Sequence, residues 1–260
     1  MAKTQIVAII NVTPDSFSDG GANFSADKAV AAIGQAFADG ADVVDIGAES
    51  TRPEATPINH EEEWARLEPV LKKYHTGGII SVDTRHAETA RKALALGVDW
   101  INDVSGFQDN EMIAAVKSSD CKLVVMHSLS VPADKSIVLP ENIDVVDELI
   151  EWAKNRFTLL EKAGIQKDRL IFDPGIGFGK TPQQSQDILN RIEEFKVLGV
   201  PLFIGHSRKS FLMMEAKSNA EKDTATLAIS RKLTANGVDY IRVHNVKLHR
   251  QMLEELAHVA

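Results

Sequence analysis

The sequence predicts a single (β/α)8 barrel of the TIM type over residues 1–260, and three observations lead there. Short β-branched, apolar runs alternate with longer stretches of helical period, the pattern of repeated βα units around a parallel sheet. Eight such runs occur, more than the about five or six strands usual in an open doubly wound sheet. The chain has 260 residues, 44% of them hydrophobic and 25% charged, which suits one barrel domain and lacks the polar bias of disorder.

The first run, Ile6 to Asn11, opens into the turn-rich stretch Thr13 to Ser25; Ala26 to Ala38 then has helical period and stops before Gly40. Val43 to Gly47 is the second strand, followed by the irregular segment Ser50 to Asn59 and a helix over Glu61 to Tyr74. The third strand is Ile79 to Asp83, with a helix over Ala87 to Leu96 ended by Gly97. Trp100 to Val104 and Leu123 to His127 are the fourth and fifth. Ser128 to Ile143 carries no motif, and a helix over Asp144 to Ala163 follows it, ended by Gly164. Leu170 to Asp173 and Leu202 to Gly205 are the sixth and seventh strands; a helix over Asp223 to Asn236, ended by Gly237, leads to the eighth, Tyr240 to His244. Glycine suits these helix ends because a left-handed cap costs it least. The three long irregular segments all follow strands, which in a barrel puts them on the catalytic face.

Several function classes are disfavoured. A net charge of −8 argues against general nucleic-acid binding, which needs a basic surface. The apolar stretch Gln5 to Val12 is too short to span a bilayer, and Thr13-Pro14-Asp15 follows it with no small-residue cleavage site, so neither export nor a membrane partner is expected. The single cysteine, Cys121, cannot form an internal disulfide and reads as a buried structural thiol in a reducing cytoplasm.

Polar residues gather at the strand ends: Asn11, Glu49, Asp83, Asn102 with Asp103, His127, Asp173, Ser207 to Lys209, and Arg242 with His244. Any one of these is readily a helix cap or a loop partner. Their common position at one end of their strands is harder to attribute to capping, and Arg242 and His244, spaced by one apolar residue, should both point inward. Gly205 to Ser210 joins a strand to an apparent helix, so free amides would lie beside Arg208 and Lys209 as an anion site that Arg242 and His244 extend. Arg208 could equally be a solvated surface charge. Asn11 and Asp19 flank a turn-rich loop, and oxygen ligands of this kind suit Mg²⁺ that shares its shell with phosphates. No His/Cys cluster has zinc spacing. An inward Asp83 or Asp173 would need donors, which a heterocycle with ring NH and amino groups supplies, unless backbone amides satisfy it.

Seven ordered segments resemble the dihydropteroate synthases, from about Ile9 to Val246: Asn11 to Gly21, Asp45 to Pro53, Ser81 to Arg85, Ile101 to Gly106, Asp173 to Lys180, Ser207 to Ser210, and Arg242 to His244. The resemblance implies condensation of 6-hydroxymethyl-7,8-dihydropterin pyrophosphate with p-aminobenzoate, giving dihydropteroate and pyrophosphate with Mg²⁺ as cofactor, commonly in a homodimer. It implies a deep pterin site with Asn102 and Asp173 on the hydrogen-bonding edge, Lys209 beside it, Asp83 stabilising positive charge, and Val104, Met126 and Gly205 lining it. Asp83, Lys209 and Asn11 would be the catalytic residues. Asn11, Thr51, Arg52, Arg242 and His244 would hold the pyrophosphate, and Asn11 and Asp19 the metal. Phe17, Thr51, Pro53, Phe178, Lys209 and Ser210 would form the p-aminobenzoate site, the target of sulfonamides.

Four positions depart from that pattern. Ala48 and Glu54 stand where glycine is usual, His206 where a small apolar residue is usual, and Asn245 where aspartate is common. A carboxylate at Glu54 adds like-charge repulsion near pyrophosphate unless it points away. A pterin-dependent methyltransferase barrel would share the deep site but needs no pyrophosphate cradle, and the Asn11 to Phe17 and Ser207 to Lys209 segments argue against it; a non-enzymatic pterin binder would be expected to have lost some of the anion or metal ligands, and none is lost.

Overall fold

The computed structural model describes residues 4–13, 21–51, 55–74, 77–209 and 218–259, with the backbone alone at 21–25 and 259. Eight parallel strands alternate with helices: β1 Gln5–Asn11, α1 Gly21–Ala38, β2 Val43–Gly47, α2 His60–Lys73, β3 Ile79–Asp83, α3 Ala87–Ala95, β4 Trp100–Asp103, α4 Asn110–Lys117, β5 Lys122–Met126, α5 Val145–Lys162, β6 Leu170–Asp173, α6 Pro182–Asn190, β7 Phe203–Ile204, α7 Asn219–Ala235, β8 Tyr240–Val243 and α8 Val246–Val259. The strand order is β6-β5-β4-β3-β2-β1-β8-β7. A bridge between Phe172 and Leu202, with the Phe172 N–H donating to Pro201 O at 2.9 Å, brings β6 to β7 and nearly closes the expected (β/α)8 barrel.

Helix starts follow from side-chain caps. Asn59, Asp109 and Asp144 each accept a backbone N–H of the first turn, while Thr181 with Gln184 and Ser218 with Glu221 form capping boxes. Ser218 also explains why α7 starts at Asn219 and not at Asp223 as the sequence suggested. Val104, His127, Gly205 and His244, expected as last strand residues, lie just past the ends of β4, β5, β7 and β8.

Strand alternation sorts the core into two layers. Ile6, Ala8, Val44, Ile46, Ile101 and Val125 face outward and pack under the helices. Val7, Val43, Trp100, Val124, Ile171 and Phe203 face inward with Tyr240 and plug the barrel floor. The parallel register carries the next inward positions to Asp45, Ser81, Asn102, Met126, Asp173 and Arg242, with Asp83 paired to Asn102. An apolar floor thus supports a polar upper layer. Cys121 is buried with a free thiol.

Candidate active site

Arg242 organises that upper layer. Its Nε lies 2.6 Å from Asp45 Oδ2 and its Nη2 donates to Asp83 Oδ2 at 2.9 Å. Asn102 Nδ2 also donates to Asp45 Oδ2, at 3.1 Å. Asp45 Oδ1, Asn102 Oδ1 and Ser81 Oγ are buried with no hydrogen-bond partner. Buried acceptors are normally paired, so a cluster of unpaired ones marks a place built for a donor-rich ligand. Burial pushes the Asp83 carboxyl up to about 7; Arg242 opposes this and the neighbouring Asp45 reinforces it.

Asp173 ends β6, where its Oδ1 accepts the Gly175 N–H at 2.7 Å. Burial raises its carboxyl to about 6, against the Gly175 amide and the cations Lys209, Lys180 and Arg242. Gly175 has φ +67°, and a Cβ there would lie 1.9 Å from His127 O, so this turn requires glycine. Gly205, without a side chain, leaves the space beside Asp173 Oδ2 open. Lys209 Nζ sits 4.2 Å from the centroid of the Phe178 ring, a cation–π contact that joins the β6 and β7 loops. Val104 and Met126 are buried at the ends of β4 and β5.

The structure therefore brings Asp83, Asn102, Val104, Met126, Asp173, Gly205, Lys209, Phe178 and Arg242 to one end of the barrel. Asn11, at the end of β1, and Thr51, beyond β2, share that rim. His244 lies just past β8, where its Nδ1 is 2.9 Å from Ser207 Oγ and its N–H donates to the same oxygen at 3.2 Å. Phe17, Asp19, Arg52, Pro53 and Ser210 lie outside the described residues, as do Glu54 and the start of the expected helix after Lys209.

One expectation is corrected. Arg208 is neither an anion ligand nor a solvated charge, because its Nε and Nη2 donate to Asp223 at 2.7 and 3.0 Å. Asp223 is itself held by Asn245 Nδ2 at 3.1 Å. Lys209, Arg242 and His244 are the other cationic or titratable side chains expected at that site. The departures at His206 and Asn245 find reasons here. His206 is buried, its Nε2 is 2.8 Å from Ser230 Oγ, and burial holds its pKa down at about 4, so it is a neutral filler behind β7. Asn245 ties Asp223 to the start of α8 through the Leu248 N–H.

Sequence reasoning assigned no role to Asp45, although a charge inside the apolar run Val43 to Gly47 was a usable signal. Glu49, named among the strand-end polar residues but given no role, is gripped by Arg85 at 2.8 and 2.9 Å. Burial opposes ionisation of Glu49, but bonds from His86, Arg85 and the Ile58 N–H bring its carboxyl down to about 2. Glu49, Glu63 and His86 are the one group of such side chains, among the described residues, close enough to share a metal. Arg85 already supplies the cation there, so the group reads as an ion-pair anchor for the β2 and β3 loops. The segment 128–143 buttresses two site loops: the Ala133 N–H donates to Thr51 O, and the Leu139 N–H to Gly179 O.

Known proteins match this architecture. The model of the pterin binding enzyme family covers residues 7–244. A dihydropteroate synthase type-3 from Escherichia coli is 39% identical, covering 94% of this chain and 95% of that protein. A probable bifunctional folylpolyglutamate synthase/dihydropteroate synthase from Halobacterium salinarum is 42% identical over 94% of this chain, which spans only 30% of that longer protein. The dihydropteroate synthase of Anaplasma phagocytophilum, solved with bound 6-hydroxymethylpterin-monophosphate, superposes with a TM-score of 0.89 at 40% identity over the full length of both chains. The chain belongs to the pterin binding enzyme family, among the dihydropteroate synthases.

Proposed function

We propose that the chain condenses 6-hydroxymethyl-7,8-dihydropterin pyrophosphate with p-aminobenzoate to give 7,8-dihydropteroate and pyrophosphate, as a step of folate biosynthesis. The observation that carries this reading is the buried set of unpaired acceptors, Asp45 Oδ1 and Asn102 Oδ1, around Arg242, at the barrel end that also holds Asp173 and Lys209. The ring NH and amino groups of a pterin supply the donors this layer lacks. Arg242, with Lys209 and His244, faces the opposite charge of a pyrophosphate, and Arg52 and Thr51 are assigned to the same anion.

In the reaction the bond from the pterin methylene to the pyrophosphate oxygen breaks, and its electron pair leaves with pyrophosphate. The arylamine nitrogen then bonds to that methylene carbon and loses a proton. No enzyme nucleophile is needed. The contribution of the chain is electrostatic: Asp83 opposes the developing methylene cation and Arg242 the departing anion, in a site dry enough for both to count. Phe17, Thr51, Pro53, Phe178, Lys209 and Ser210 form the p-aminobenzoate pocket in this reading.

Mg²⁺ suits the donor set, since Asn11 offers a neutral amide oxygen at the end of β1 and Asp19 a carboxylate, with pyrophosphate oxygens and water completing the shell. When bound, the ion adds positive charge to the leaving group. The single buried thiol supports a cytoplasmic setting, and among the described residues no helix is long and apolar enough to cross a membrane. Pairing as a homodimer through helices near the C-terminus belongs to the same proposal, and sedimentation would read it. Pyrophosphate release tests the reaction: release that requires both p-aminobenzoate and Mg²⁺ supports it, whereas none above background contradicts it.

A further inference from the structure

Lys180 closes the turn that begins at Asp173, and it is buried. Its Nζ is 2.6 Å from His127 Nδ1 and donates to His127 O at 3.1 Å and Phe178 O at 3.0 Å. Burial and then Lys180 hold His127 neutral, with its pKa down at about 2, so Nδ1 can accept. Two carbonyl oxygens and a ring nitrogen therefore surround the amine. Burial lowers the Lys180 pKa strongly while Asp173 opposes the fall. Burying an amine is costly, and an apolar side chain of the same shape would pack here without that cost.

The return on that cost lies in what the amine holds. His127 follows β5 and Phe178 belongs to the loop after β6, so one side chain grips a backbone carbonyl of each loop. The Phe178 ring in turn faces Lys209 at 4.2 Å. Asp173 takes its hydrogen bond from the Gly175 N–H, and Lys180 adds only charge to it. We propose that Lys180 is a positioning residue for the arylamine substrate: by gripping the carbonyls of His127 and Phe178 it sets the Phe178 ring against Lys209 and shapes the p-aminobenzoate pocket. This rests on the synthase reading.

The test compares wild type with Lys180→Met and Lys180→Gln, measuring the KM for p-aminobenzoate at saturating pterin pyrophosphate, kcat, and pterin affinity by calorimetry. At pH 8, where Asp173 stays ionised with or without the Lys180 charge, Lys180→Met raises that KM about tenfold or more while pterin affinity stays within about threefold, because a loop shift far smaller than unfolding suffices to spoil a pocket. Lys180→Gln falls between, since its amide still donates to a carbonyl. An unchanged KM, or equal loss of affinity for both substrates, overturns the inference. Failure of both variants to fold also overturns it, by making Lys180 a stability residue. A wild-type protein that makes no dihydropteroate sinks the synthase reading itself, and this inference with it.

Discussion

Arg208 and Arg242 both pair with carboxylates near the same rim, but Arg208 does so with Asp223 on α7 and Arg242 does so inside the barrel, next to the unpaired acceptors Asp45 Oδ1 and Asn102 Oδ1. Arg208 is spent on Asp223, so Arg208→Ala should cost about 1–3 kcal/mol of stability through its charged hydrogen bonds and leave turnover at saturation nearly unchanged. Arg242 bridges Asp45 and Asp83 inside the barrel, and Arg242→Ala should lower kcat about 10²-fold or more. Equal effects of the two on kcat would contradict the assignment. The raised carboxyl of Asp173 makes a second prediction. In the proposed pterin site Asp173 accepts as a carboxylate, so lowering the pH through about 6 removes that acceptor, and calorimetry should find affinity about tenfold weaker or more at pH 5 than at pH 7. Asp173→Asn should remove the part of that dependence centred near 6 and leave the part from Asp83, whose carboxyl lies at about 7. Asp83, Asn102, Asp173 and Arg242 were legible as strand-end polar residues, because inward alternation is a property of sequence. Which cation meets which carboxylate was not: the Arg208–Asp223 pair spans β7 and α7, and only the fold brings them together.

Among elements, the amphipathic helices ended by glycine and the strands could be read from the sequence, whereas α4 and α6 are short and end at Ser118 and Arg191 with no glycine stop. Strand β7 is reduced to Phe203–Ile204, because Pro201 precedes it and Gly205 follows it. Its neighbour β6 is anchored instead by Phe172, which is fully buried with its ring near Trp152, Phe157 and Phe195. Phe172→Ala should cost about 3–5 kcal/mol in denaturant unfolding, as a cavity opens behind the strand that ends in Asp173. A cost below about 1 kcal/mol would show that β6 is held by its ladder and not by that aromatic cluster. The buttress from 128–143 had no sequence signal, since it works through the backbone groups of Ala133 and Leu139.

At the scale of the molecule, the barrel closes at one narrow seam, the Phe172–Leu202 bridge, while β1 to β6 share continuous ladders. Amide exchange should be faster at Phe203 and Ile204 than in β1 to β3, because the seam has the fewest bonds to break. Uniform protection around the barrel would contradict this. In the proposed reaction the apolar floor and polar upper layer of this barrel hold pterin and arylamine together while pyrophosphate departs. The most direct measurement incubates the purified protein with dihydropterin pyrophosphate, Mg²⁺ and ¹⁵N-amino-labelled p-aminobenzoate, and follows products by mass spectrometry. Labelled dihydropteroate and pyrophosphate should form in equal amounts; pterin that binds without forming any labelled product would contradict the synthase reaction.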